Sequence, residues 1–355
     1  MLGADTGWAQ RVVDGSVLHT TQGVEHWFVA SPQLPDGESI VAVAFISADS
    51  ARIVIAAGLS CNADALPVPM TFTSWATNDG GALWSRGGSF DVVQDPGLSW
   101  QGALDFVNLD DGWFSANQDD TDTSLGTTLF RTVDGGAHWE EIFHLVQSSD
   151  SPSGPCFAQA TATFISPTTG WLTGGGCAVA EFEVTHNGGA TWSPQPIPLL
   201  DTPYLGLSNP TFINSVDGFM LGLDPTEQPG VLVFVTFDGG RSWTAHAAPG
   251  IATNAAHFIN GEDGWLLDSD TLNAGYEAGL YVTYDGGRIW NTLQPLDHDP
   301  PSPGGFDFNG SILDFVSSSL GWTNTNTGVD DNLLQTTDGG RTWKLVPVQI
   351  SGSSG

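Results

Sequence analysis

Residues Thr132 to Trp139 read TVDGGAHW. The same frame recurs at Thr77 to Trp84 (TNDGGALW), Thr185 to Trp192 (THNGGATW), Thr236 to Trp243 (TFDGGRSW), Thr283 to Trp290 (TYDGGRIW) and Thr336 to Trp343 (TTDGGRTW). A degenerate seventh copy, TTQGVEHW, runs from Thr20 to Trp27. Successive copies start 47 to 57 residues apart, and self-similarity at such a period marks a repeat architecture. Within each copy the glycines allow positive φ, the Asp accepts hydrogen bonds from the turn's own backbone, and the Trp packs on the strands that the turn joins.

Upstream of each copy an apolar run ends in Phe, and a Gly-Trp follows six residues later. The clear cases are Phe106 with Gly112-Trp113, Phe164 with Gly170-Trp171, Phe258 with Gly264-Trp265 and Phe315 with Gly321-Trp322, while Phe212 with Gly218-Phe219 is a close variant. Phe45 is followed instead by Ala51-Arg52, and Gly7-Trp8 has Met1 in the Phe position. A unit of about 50 residues with several short apolar runs has the size of one four-stranded propeller blade. The expected fold is therefore an all-β, seven-bladed β-propeller of antiparallel blades. In the third blade, strands are expected near 103–108, 112–116, 128–133 and 137–142, with the DGG element turning between the last two.

The blades fall at about 1–30, 40–88, 102–143, 158–196, 208–247, 254–294 and 310–347, in a single domain over 1–350, followed by a flexible tail at 351–355. The first blade is expected to be incomplete, with three strands or a stub of a fourth. Lys344 to Ile350 would extend the last strand of the seventh blade.

The chain has 355 residues, a formal net charge of −32, a single Lys (Lys344), 45 Gly, 21 Pro and 14 Trp. That mixture is unlike a helical protein, and 40% hydrophobic residues supply a core that a disordered chain lacks. No stretch approaches 18 apolar residues, which argues against membrane insertion. The scarcity of Lys and Arg disfavours nucleic acid and anionic bilayers alike. The first eight residues lack the positive start and apolar stretch of a secretory signal.

These residues resemble the Asp-box, or BNR repeat, of pattern Ser/Thr-x-Asp-x-Gly-x-x-Trp. With the Phe and Gly-Trp signal, nearly the whole chain resembles the propeller superfamily that includes photosystem II assembly factors, sialidase-like proteins and bacterial exported propellers. The resemblance implies a fold and no activity, because Asp-boxes also occur in sialidases, xyloglucanases and sortilin-type receptors. Asp79, Asp134, Asn187, Asp238, Asp285 and Asp338 are accordingly expected to be turn residues. A sialidase would need three arginines clamping a carboxylate. Arg241, Arg288 and Arg341 sit inside DGG turns and Arg86 and Arg131 flank them, which leaves only Arg11 and Arg52.

Seven Trp close the DGG copies and five follow the Gly of the second motif, so Trp75 and Trp100 remain as candidates for stacking on a ligand. The acidic residues Asp119, Asp122, Asp268 and Asp270, together with Tyr204, are expected on the face formed by the loops between second and third strands. They form either a solvated rim or a ligand site. The stretch Asn117-x-Asp119-x-Thr121 loosely resembles a calcium loop but lacks its terminal bidentate Glu, and the histidines show no HxH or HExxH pattern; no cofactor is expected, with calcium on the acidic rim as the alternative. Cys156 and Cys177 lie almost symmetrically about the turn between Phe164 and Gly170, which makes them a disulfide candidate and favours an oxidising compartment.

The functional expectation is a monomeric, non-enzymatic scaffold, extracellular, periplasmic or surface-held, that binds a protein or glycan on its loop face. The alternative is a glycan-binding or glycoside-hydrolase-like propeller using the acidic loop residues.

Overall fold

The computed structural model describes residues 1–11, 13–57, 68–94, 99–119, 126–146, 158–175, 181–199, 206–223, 230–249, 253–268, 279–295, 312–326 and 331–352. No helix occurs among them. The strands form seven antiparallel sheets, and the chain is a seven-bladed β-propeller.

The second blade comprises Glu38–Phe45, Ala51–Ala57, Val68–Thr77 and Ser85–Gln94, paired in chain order, and the third Ser99–Phe106, Gly112–Asp119, Gly126–Thr132 and Glu140–Val146. The fourth follows the same order with Ala158–Phe164, Gly170–Gly175, Glu181–Thr185 and Ser193–Pro194. So does the sixth, with Thr253–Phe258, Asp263–Asp268, Gly279–Tyr284 and Asn291–Pro295, and the seventh, with Leu313–Phe315, Gly321–Asn326, Asp331–Thr336 and Lys344–Leu345.

In the fifth blade the first strand is split into Gly206–Leu207 and Thr211–Phe212, both paired to Gly218–Leu223, ahead of Val231–Thr236 and Thr244–Ala247. Pro210 offers no amide at the break. Ser208 spans part of the gap, its amide donating to Leu221 O and its hydroxyl accepting the Leu221 amide, both at 2.9 Å.

The first blade departs from expectation. Its own segment supplies Gly7–Gln10, Val17–Thr20 and His26–Val29, which match the second to fourth strands of the other blades. The sheet is nevertheless four-stranded, because Gln349–Ser351 pairs beside His26–Val29. The C-terminal segment therefore leaves the seventh blade after Val346, whose amide still donates to Leu333 O at 2.8 Å. It crosses to the free edge of the first, where Gln349 N donates to Glu25 O at 2.8 Å, and Ser351 belongs to that strand rather than to a tail. In the third blade the first strand starts four residues earlier than expected, and the last starts at Glu140 because the turn extends to Trp139.

Each Phe of the second motif stands opposite the Gly six residues on, as Phe106 does Gly112 and Phe164 does Gly170. The ring lies across that glycine: a Cβ on Gly170 would be 2.4 Å from the Phe164 ring. The Trp of the DGG turn meets the same Phe edge-on, Trp139 to Phe106 at 6.2 Å and 90°, and Trp192 to Phe164 at 6.1 Å and 67°.

Packing divides the chain into two compact units. In the unit of Thr6–Thr21, Trp27–Pro196 and Ile350–Gly355, cores fill the junctions between successive blades. Trp8 and Val17 pack with Ile53 and Ile55, Val54 and Phe72 with Phe114 and Phe130, and Trp113 and Leu129 with Ala160 and Phe164. In the unit of Met1–Asp5, Gln22–His26 and Ile197–Gln349, Phe219 and Val233 pack with Phe258 and Leu266, and Trp265 and Leu280 with Leu313 and Phe315.

The DGG turns share one hydrogen-bond scheme. At Asp134, Oδ1 accepts the Thr132 hydroxyl and the His138 amide, both at 2.9 Å, while Thr132 Oγ1 accepts the Gly136 amide at 2.9 Å. The Gly135 amide donates to Asp110 O in the blade's first hairpin at 2.8 Å, and both glycines have positive φ (72° and 95°). Asp79, Asn187, Asp238, Asp285 and Asp338 repeat the side-chain contacts. Asp134→Ala is expected to lower the unfolding free energy by about 1 to 3 kcal/mol, since it strips turn donors of their acceptor. Asp134→Asn should cost much less, because Asn187 already makes the same bonds. Urea denaturation of the two variants checks this, and equal losses would contradict the scheme.

Candidate functional site

Basic residues are the first to place, because a catalytic reading would recruit them. Arg52 occupies the position that Trp takes in other Gly-Trp motifs. Its guanidinium lies over the Phe106 ring of the next blade at 5.8 Å and donates from Nη2 to Leu109 O at 3.0 Å. Arg131 lies over Trp113 at 5.4 Å and donates to Pro167 O of the fourth blade at 3.0 Å. His19 donates from Nε2 to Ala48 O of the second blade at 2.8 Å, and burial pushes its pKa down, which keeps the ring neutral. All three thus grip a hairpin carbonyl of the following blade. Arg11, the other arginine left unassigned by the motifs, pairs with Asp14.

A half-buried carboxylate sits at another junction. Asp105 accepts the Phe164 amide of the fourth blade at 2.6 Å, and desolvation raises its pKa to about 6 from 3.8, against the two amides it accepts. With the folded pKa above the unfolded one, the folded state holds the proton longer. Stability from this group is greatest below pH 4 and is lost as pH rises to about 6, by up to about 3 kcal/mol before solvent screening. The stability advantage of Asp105→Asn over the parent is therefore expected to grow by about 1 to 3 kcal/mol between pH 4 and pH 8, as read from denaturation midpoints. An unchanged difference would contradict the desolvated charge.

One groove stands out among the described residues. It has a volume of about 550 Å³ and lies between the first and second blades, bounded by residues 28–33 on one side and the 79–84 turn on the other, with His19, Thr21, Asp49 and Trp75 completing it. Its walls are held from both sides. Trp84 Nε1 donates to Ala30 O at 2.6 Å, and a Cβ on Gly81 would be 2.6 Å from that of Ala30, so only glycine lets the turn approach this closely. Trp75 and Trp84 are half-buried against the core of this junction, and Leu83 is 75% exposed at the rim.

Asp79 and Asp285 differ here from the other turn carboxylates. The Leu83 amide, then the Thr77 hydroxyl, hold the Asp79 carboxyl below the ordinary range through Oδ1. In Asp134, Asp238 and Asp338 the second oxygen is engaged by His138, Ser242 and Thr342, four residues on. At Asp79 and Asp285 that residue is Leu83 and Ile289, neither of which has a side-chain donor, and no described side chain takes Oδ2; of the two, only Asp79 lines the groove.

Of the ligand-binding candidates singled out in the sequence, Trp75 is the one among the described residues that lines this groove, beside the Asp-box residue Asp79. Trp100 and Asp119 lie in the first hairpin of the third blade, opposite Gln118 and Ser99, and Asp268 pairs with Thr253 and Gly279 in the sixth. Asp122, Tyr204, Asp270, Cys156 and Cys177 lie outside the described residues, as does most of the loop face. Asp49, Phe28 and Leu83 carry no sequence signal for a groove, since it arises where two repeats meet. No group of three or more His, Cys, Asp or Glu able to hold a metal ion occurs among the described residues.

No protein-family model matches the chain, and no curated protein sequence matches it. Several solved structures share the fold, YCF48 and a GH74 xyloglucanase among them. YCF48 from Cyanidioschyzon merolae is 15% identical with a TM-score of 0.51, over 90% of this chain and 89% of that one. The GH74 xyloglucanase from Xanthomonas campestris is 16% identical with a TM-score of 0.57, over 96% of this chain. The chain spans 51% of that enzyme's length. At such identities the likeness is one of fold.

Proposed function

We propose that the chain is a non-enzymatic propeller of Asp-box repeats, exported or surface-held, that serves as a rigid platform for binding another protein. The observation that carries the reading is the groove between the first and second blades, an open and aromatic-walled surface built on a lattice that employs the chain's arginines and turn carboxylates structurally. Arg52, Arg131 and His19 join blades, and the Asp-box carboxylates cap their own turns. The scaffold sense of the resemblance to assembly factors agrees with this reading, while the acidity of the chain argues for a partner other than one met through a basic patch.

A panel of neutral and acidic oligosaccharides, assayed for hydrolysis by reducing-end release, tests the non-enzymatic part. No turnover above background is expected. Turnover abolished by a single carboxylate substitution would replace the platform with a glycosidase.

A further inference from the structure

We propose that the groove between the first and second blades receives a lysine- or arginine-bearing segment of the partner protein, with the cationic side chain held against Asp79 and Asp49 beside Trp75 and Trp84. This rests on the platform reading and names the chemistry of its partner.

Charge decides the occupant. The groove lining contains two carboxylates, one neutral histidine and no Lys or Arg, so an anionic ligand meets only repulsion. The whole chain carries −32, which steers basic partners toward it over a Debye length. At contact range Asp79 Oδ2 is an acceptor that no described side chain takes, whereas side chains engage the second oxygen of Asp134, Asp238 and Asp338. Asp49 is exposed at the hairpin whose carbonyl receives the Gly80 amide at 2.9 Å, which ties both acids to one rigid rim. The half-buried Trp faces offer a cation the ring quadrupole, and the apolar stem of a Lys or Arg suits exposed Leu83 and half-buried Phe28.

Titration of the full chain with a twelve-residue peptide alternating Lys and Gly, at 150 mM salt, tests the proposal by calorimetry. Asp49→Asn/Asp79→Asn is compared with Glu140→Gln/Glu141→Gln, which removes the same charge from the third blade. Asn at 79 should keep the turn folded, as Asn187 does, and urea midpoints verify that. Saturable binding is expected, weakened at least tenfold by the groove pair and less than twofold by the control pair. Glu-Gly and Ser-Gly peptides should not bind.

Equal weakening by both pairs would reduce the effect to general attraction and overturn the groove. So would absent or unsaturable binding, or binding of a neutral oligosaccharide in place of the Lys peptide. Failure here together with no glycan turnover sinks the groove and leaves the platform reading standing. Turnover on glycans sinks the platform itself.

Discussion

Trp113→Ala is expected to lower the unfolding free energy by about 3 to 5 kcal/mol, in the upper range for a buried aromatic cut to Ala. The indole is 1% exposed and lies flat on Phe164 of the next blade, with centroids 3.6 Å apart and planes 6° apart. Its Nε1 donates to Gly188 O at 3.0 Å, and Arg131 covers it at 5.4 Å. Truncation therefore opens a cavity at a blade junction and leaves a carbonyl and a guanidinium without contacts that both use. Trp113→Phe keeps a stacking ring but loses the indole donor, so a loss of about 1 to 2 kcal/mol is expected. Equilibrium urea unfolding measures both, and a Trp113→Ala loss under 1 kcal/mol would show that the junction is not held by the stack. Trp8 on Phe45 and Trp265 on Phe315 repeat the arrangement, at 8° and 5° between planes, so Trp265→Ala should behave alike.

The blade count, the DGG turns and the pairing of Phe with Gly were legible because each is local. A turn of eight residues and a hairpin with Phe and Gly six apart leave their marks within one repeat. What the repeats do to one another left no such mark. Arg52 looked unassigned because its partner, Leu109 O, is 57 residues on. The role of the Gly-Trp Trp in bridging blades was equally hidden, since indole and ring belong to different repeats. The edge strand at 349–351 follows from nothing near it in sequence, for its register is set by His26–Val29 at the other end of the chain. Among the candidate binders, Trp75 was identified as surplus to the motifs, and its groove is formed by a neighbouring blade that no periodicity could bring beside it.

Arg52 gives that lesson a quantitative form. Its side chain is buried at 5% exposure and donates from Nη1 to Ala51 O, Thr77 O and Asn78 Oδ1 at 3.0 to 3.2 Å, as well as from Nη2 to Leu109 O. Arg52→Ala strands three backbone carbonyls and removes the cover from Phe106, which should cost about 3 to 5 kcal/mol. Arg52→Lys keeps the charge but cannot reach two directions from one planar group, so it should recover only part of that loss. The discriminating variant is Arg52→Trp. In the third blade the residue in this position is Trp113, which stacks on the next blade's Phe and donates to Gly188 O of its DGG turn, and an indole at 52 has Phe106 and the 134–136 turn in the corresponding places. If Arg52 is a surrogate for the interblade Trp, the Trp variant should be the most stable of the three despite the loss of charge. If it is the least stable, the guanidinium holds its place through its charge and hydrogen-bond fan alone, and the equivalence between the second blade and its neighbours fails at this junction.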